Sequence, residues 1–216
     1  MAWAVQARVG LVCGARADLQ DYYENEARMR LRRPLRGRRV ELRDEFLGLL
    51  DREGRASVVD FGAGPGRDGA AFQAAGHHFV GIDLAHGNGR LAAEADLVVI
   101  QGSITAVPIK PSSFDAGWSL STLMHLDEAE AALALDEIVG VLQPGAPLLV
   151  GVWGRETAAS IVNDTDISGS RRPFHLRSFD RNRQLLTARG DLEQAERWEE
   201  ASEDWDYQVF RLRTAG

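Results

Sequence analysis

Short, fully apolar runs alternate with helical stretches through the middle of this chain, and that alternation constrains the fold most. The runs are Ser57–Phe61, His78–Ile82, Leu97–Ile100, Phe114–Leu120 and Leu148–Trp153. Between them, Pro65–Ala75 reads as a helix ended by Gly76, and His86–Ala95 as a second. Asp127–Leu142 is the clearest helix: Asp127 with Glu130 makes a capping box, and Leu135, Ile138, Val139 and Leu142 share one face. Strands apolar on both faces belong in a parallel sheet covered on both sides. Further on, Phe179–Ala188 reads as a helix, and Leu192–Trp198 and Tyr207–Arg213 as strands. A turn-linked pair there is antiparallel and lies at the sheet edge. The expected architecture is α/β, with a seven-stranded, mostly parallel sheet whose final strand runs antiparallel.

The flanks are organised differently. In "VELRDEFLGLL", Leu42, Phe46, Leu49 and Leu50 recur at helical spacing, and "DLQDYYENEARMRLRR" upstream is helical until Pro34 and Gly37 break it. Residues 1–17 are expected to be flexible, and 18–216 to form one domain. Within it, 18–50 is a helical cap, 56–153 the core, 154–178 a substrate-side loop, and 179–216 the last helix and strands. A chain of 216 residues suits that organisation.

Composition narrows the function classes. The net charge of −7 argues against a general affinity for nucleic acid. Arginines nonetheless crowd the stretch from Arg28 to Arg43, where solvated surface competes with recognition of an anionic substrate or cofactor carboxylate. No apolar run approaches the roughly 20 residues of a membrane helix. Cys13 is the single cysteine, so no internal disulfide forms, which suits the cytoplasm.

The sharpest motif is "VVDFGAGPGRD", Val58–Asp68. Glycines between a strand and a helix let the backbone turn tightly and let a ligand approach without Cβ interference. A dinucleotide site would have G-x-G-x-x-G, but here Arg67 stands at the last position and the spacing is G-x-G-x-G. Asp60, just ahead, would repel a pyrophosphate and suits a ligand carrying an amino group and a sulfonium. Asp83 closes the second strand, where an acid grips ribose hydroxyls in nucleotide-binding α/β folds.

"VVDFGAGPGRD", "GIDL", "QGSITAVPI", "SFDAGWSLSTLMHL" and "LQPGAPLLVGVW" together resemble, in order and spacing, the motifs of class I S-adenosylmethionine-dependent methyltransferases, nearest the small-molecule branch. The resemblance spans roughly Asp21 to Trp153. It implies a Rossmann-like fold and S-adenosylmethionine as methyl donor, leaving S-adenosylhomocysteine as product. Gly62, Ala63, Gly64 and Gly66 would pass under the cofactor, and Asp60 would orient its amino-acid end. Asp83 would hold the ribose, and Leu84 and Ile104 the adenine. Ser103 stands where the family usually has an aspartate that meets the adenine amino group. Ser119 and Leu120 would lie near the methionine moiety. Tyr22 and Arg28, on the N-terminal helix, would close over the cofactor, with Arg28 on its carboxylate.

The same resemblance places His125 near the acceptor, as catalytic base or loop organiser. Trp153 and Tyr23 are the acceptor-pocket candidates; Trp118 is expected in the core, and His77 and His78 on the surface. No Asn/Asp-Pro-Pro-aromatic motif follows the fourth strand, no cysteine lies near the site, and no metal site is expected. The expected function is methyl transfer to an O, N or C atom of a small molecule. The alternatives are a cofactor-binding protein without catalysis, or an RNA or protein methyltransferase. The sequence points to no oligomeric state and no membrane partner.

Overall fold

The computed structural model describes residues 17–29, 31–32, 35, 37–164, 171–199 and 205–215. Cys13 and most of the expected flexible start, 1–16, lie outside the described residues. A helix over 17–29 (α1) comes first. It is followed by α2 (Gly37–Glu53), β1 (Ser57–Phe61), α3 (Arg67–Ala74), β2 (His78–Asp83), α4 (His86–Ala93), β3 (Val99–Gln101) and β4 (Ala116–Leu120). A 3-10 turn, Leu123–His125, leads to α5 (Glu128–Val141) and β5 (Pro147–Gly154). The chain ends with β6 (Ala159–Asp164), β7 (Arg171–Leu176), α6 (Phe179–Thr187), β8 (Gly190–Glu199) and β9 (Asp206–Thr214).

The seven-stranded sheet has the order β3-β2-β1-β4-β5-β9-β8. The pairs from β3 through β5 are parallel, whereas β9 is antiparallel to both β5 and β8. This is the Rossmann-like arrangement with an antiparallel end. Because chain order reverses between β1 and β4, a crevice opens at their carboxyl ends.

Each face of the sheet has its own core. Leu42, Phe46 and Leu50 of α2 pack with Phe72 of α3, Ala92 of α4 and Trp118 of β4. Leu135 and Ile138 of α5 and Leu186 of α6 cover the other face, against Val59, Phe61, Val150 and Phe210. Strand alternation decides the faces: Val58 belongs to the first core, and Val59 and Phe61 to the second. Asp60 therefore points toward α2 and α3. Trp118 is fully buried, as expected for a core residue. The capping box of α5 is present, with Asp127 accepting from Glu130 N–H and Glu130 returning a bond to Asp127 N–H.

The stretch 154–178 is not a plain loop. It holds β6 and β7, which pair antiparallel from Ala159↔Leu176 to Asp164↔Arg171 as a separate two-stranded sheet. Pro173 disguised it, since proline argues against a central strand. In a two-stranded ribbon one edge is unpaired, so the missing N–H is tolerated. Where this excursion begins and ends, Gly154 and Arg177 form a parallel bridge, and Arg155 N–H donates to Arg177 C=O. His77 also departs from expectation: it is buried, with Nδ1 against the Arg55 carbonyl at 3.1 Å, while His78 is exposed.

Candidate functional site

A cavity of about 890 Å³ occupies the crevice, lined by the β1–α3 turn, the ends of β2, β4 and β5, helices α1 and α2, and the β6–β7 ribbon. Gly62 and Gly64 are in its wall, with φ of 83° and 57°. Both angles favour glycine. A Cβ on Gly62 would overlap the Thr122 side chain, which sits directly above it. A Cβ on Gly64 would meet no protein atom within 4 Å, so the space over Gly64 belongs to the cavity. Gly66, with φ 78°, answers a packing need instead: a Cβ there would come within 2.6 Å of Leu97.

Asp83 ends β2 at the cavity wall. Its carboxylate accepts from Gly64 N–H at 2.8 Å, Ala85 N–H at 2.9 Å and Asn88 Nδ2 at 2.9 Å. The acid therefore ties the glycine turn to the start of α4 and is held in one orientation. Ala63, Leu84, Ser103, Ile104 and Leu120 also line the cavity. The Ser103 hydroxyl pairs with Thr105 Oγ1 at 2.8 Å and accepts from Thr105 N–H, forming a local turn. Next to Leu120, Ser121 has φ 61°, a left-handed conformation rare outside glycine. Such strain costs about 1–3 kcal/mol and gathers at functional sites.

Asp60 does not reach the cavity wall. It lies buried beside Asp68, which Arg39 of α2 grips through Nε at 2.9 Å and through Nη2, while Trp118 Nε1 donates to the same carboxylate at 3.3 Å. Burial first, and then Asp68 and Asp83, push the Asp60 pKa well above the usual carboxylate range, with Arg39 opposing them. Ser119 is likewise buried and donates to the Phe61 carbonyl at 2.9 Å. Arg28 is exposed, 3.8 Å from Glu94, and is not part of the cavity wall. Tyr22 is buried behind the wall, where its ring and hydroxyl hold Arg172.

Opposite the glycine turn, side chains from distant segments converge. Tyr23 Oη and His125 Nε2 are 2.7 Å apart, and His125 Nδ1 lies 2.7 Å from the Pro173 carbonyl. A carbonyl only accepts, so Nδ1 carries the proton, and Nε2 accepts from the tyrosine hydroxyl in the neutral ring. Trp153 lines the cavity as expected, together with Phe174, Trp198, Trp205 and Tyr207. Trp198, Trp205 and Tyr207, with Arg39, Asn88 and Arg172, had no distinctive motif in the sequence beyond their residue type. Among the described residues, no group of three or more His, Cys, Asp or Glu converges as a metal site would require. No described helix is long and apolar enough to cross a membrane.

A glycine cradle open to a cavity, a fixed acid at the second strand end and the strand order together make up the fold of class I, S-adenosylmethionine-dependent methyltransferases. Residues 59–150 match the family described as a methyltransferase domain. Two curated relatives are each 31% identical. One is an 18S rRNA (guanine-N(7))-methyltransferase of Schizosaccharomyces pombe, matched over 97 residues, or 42% of this chain and 35% of that protein. The other is a demethylmenaquinone methyltransferase of Clavibacter sepedonicus, matched over 98 residues, or 43% and 39%. The chain thus spans well under half the length of these relatives. A solved structure of Burkholderia thailandensis 1,6-didemethyltoxoflavin-N1-methyltransferase, with 1,6-didemethyltoxoflavin and S-adenosylhomocysteine bound, shares the fold. It has a TM-score of 0.62 at 19% identity, covering 85% of this chain and 93% of that one.

Proposed function

We propose that this protein transfers a methyl group from S-adenosylmethionine to an O, N or C atom of a small molecule, in the cytoplasm. One observation carries the reading: a single cavity is lined both by the glycine cradle with Asp83 and by Tyr23, His125 and the aromatic side chains facing them. A cofactor and an acceptor would therefore share one space. The cofactor, when bound, supplies an activated methyl on a sulfonium. The protein's task is chiefly to align the reacting atoms and exclude water.

Backbone at Gly62 and Gly64 would lie against the cofactor, and Asp83 would accept from its ribose hydroxyls. Leu84 and Ile104 supply apolar walls for its base. His125 is the proposed base, acting through Tyr23: the tyrosine oxygen takes the acceptor's proton as it passes its own to Nε2. An acceptor without an acidic proton would need no such transfer.

Three described arginines of α2 favour a small acceptor over RNA. Arg38 pairs with Glu41, Glu45 and Glu196, Arg39 with Asp68, and Arg43 with Asp44. Neutralised arginines make a poor phosphate track.

The test is thermal unfolding with millimolar ligand. S-adenosylmethionine or S-adenosylhomocysteine should raise the melting temperature, and NAD should not. No shift with either cofactor form overturns the proposal. Binding without turnover on any acceptor pool would leave a non-catalytic binding protein.

A further inference from the structure

Among the cavity's cations, Arg172 stands apart. Arg38 and Arg39 are each held by carboxylates, and Arg67 has partners of its own. Burial, followed by the charge of Arg177, lowers the His175 pKa, so that ring is neutral at neutral pH. Arg172 is held by rings. Its guanidinium carbon lies 4.5 Å from the Phe174 ring centroid and 4.9 Å from that of Tyr22. Nη1 donates to the Tyr22 hydroxyl at 3.1 Å. Nε is buried without a partner, and no described carboxylate pairs with this side chain.

The acids that share the cavity wall are committed elsewhere. Asp127 and Glu130 close the α5 cap, and Asp83 is occupied by two backbone N–H groups and Asn88. Ring contacts steady a guanidinium but do not cancel its charge. A buried donor left without a partner is destabilising, because it has lost its water and gained nothing in exchange. An anion on the Nε–Nη2 edge, reached by a small turn of the side chain, would satisfy both the charge and the donor. That edge is the fork that matches a carboxylate.

What lies beside Arg172 describes the rest of the ligand. Phe174 and Trp205 have ring centroids 5.2 Å apart, Trp205 and Trp153 6.1 Å, and Trp153 and Tyr207 5.0 Å. All four rings line the cavity, and Arg172 stands at the Phe174 end of the row. We propose that Arg172 is the anion-recognition residue of the acceptor pocket, and that the acceptor is a planar, largely apolar molecule bearing one carboxylate. A single uncompensated guanidinium suits a monoanion better than a phosphate dianion, which draws several donors. The proposal rests on the methyltransferase reading only for the word acceptor.

The test uses the full chain, with and without S-adenosylhomocysteine, titrated by calorimetry with 1-naphthoate, 1-naphthamide and 1-naphthyl phosphate. Naphthoate should bind about ten- to hundred-fold more tightly than the amide, the range for a hydrogen-bonded charge. Arg172→Met should bring the acid down to the affinity of the amide, leaving amide and S-adenosylhomocysteine binding unchanged. If the methionine variant does not fold, Arg172→Lys carries the test: it keeps the charge, loses the fork and should weaken the acid alone. Equal binding of acid and amide, preference for the phosphate, or loss of S-adenosylhomocysteine binding in step with the acid would each overturn the proposal. The last result would make Arg172 a contact of the cofactor carboxylate. Preference for the acid in a chain that binds no S-adenosylhomocysteine would sink the methyltransferase reading and leave the anion site standing.

Discussion

The two sides of the cavity are built from different materials. On the strand-end side, backbone makes the turn at the centre of the surface: Gly62 and Gly64 in left-handed conformations, braced by a carboxylate whose partners are largely main-chain N–H groups. On the cap side, side chains make it. Tyr23 comes from α1, His125 from the 3-10 turn, Phe174 and Arg172 from β7, and Trp205 from just before β9. A surface made of backbone tolerates little change, because a glycine in that geometry has no substitute. A surface made of side chains from separate segments can be altered one residue at a time. The first suits a ligand that never varies, the second one that does.

Substitutions on each side should therefore separate two readouts, and the largest effect is expected on the cap. His125→Ala should lower turnover by about 10²–10⁴-fold, the usual contribution of a positioned acid or base, with S-adenosylhomocysteine affinity little changed. The measurement is steady-state kinetics, on the first acceptor that a screen of aromatic acids yields, beside cofactor titration. Loss of both together would show that His125 only orders the loop. Tyr23→Phe should reproduce most of the turnover loss.

Gly62→Ala comes next and acts on the opposite side. The new methyl overlaps Thr122, an overpacking cost of roughly 1–3 kcal/mol, to which the left-handed backbone adds about 1–2 kcal/mol. Urea unfolding should show that loss, and the remaining folded protein should bind S-adenosylhomocysteine poorly. Normal stability and affinity would mean that the turn has slack the geometry does not suggest.

Asp83→Ala should weaken S-adenosylhomocysteine binding by roughly 1–3 kcal/mol, the cost of a lost charged hydrogen-bond partner. Calorimetry giving an unchanged Kd would remove Asp83 from the site.

The smallest effect is a slope with pH, and it belongs to Asp60. Its folded pKa is raised by burial and by Asp68 and Asp83, so the folded chain holds that proton where the unfolded chain has released it. Stability from this group is complete below the ordinary carboxylate pKa and is lost as pH rises toward the raised value. Asp60→Asn carries no such loss. Its stability relative to wild type should therefore climb by at most about 1.4 kcal/mol per pH unit within that window. Urea midpoints compared across the window check it; a constant difference would mean that Asp60 is ionised throughout.

The same contrast explains what the sequence disclosed. Strands β1, β2, β4 and β5 announced themselves by short apolar runs, because a strand buried on both faces has little other composition available. Asp127 and Glu130 marked the start of α5 for a reason equally local. Gly62 and Gly64 were legible because positive φ leaves few alternatives to glycine. The ribbon β6–β7 was hidden by Pro173. Arg172 gave no sign in the sequence, since its meaning depends on Tyr22, which lies 150 positions away. Arg39 was one arginine among many until Asp68 was seen to hold it. Arg28 looked the better placed of the two, yet it sits on the outer face of α1, near Glu94.

The bridge between Gly154 and Arg177 has a consequence for how such a protein diversifies. Since the chain leaves the main sheet and rejoins it at adjoining residues, the ribbon between them is a closed detour. A detour with neighbouring ends can be lengthened, shortened or exchanged for another without asking any sheet strand to move. Selectivity can then drift through traded cassettes while the engine underneath stays fixed.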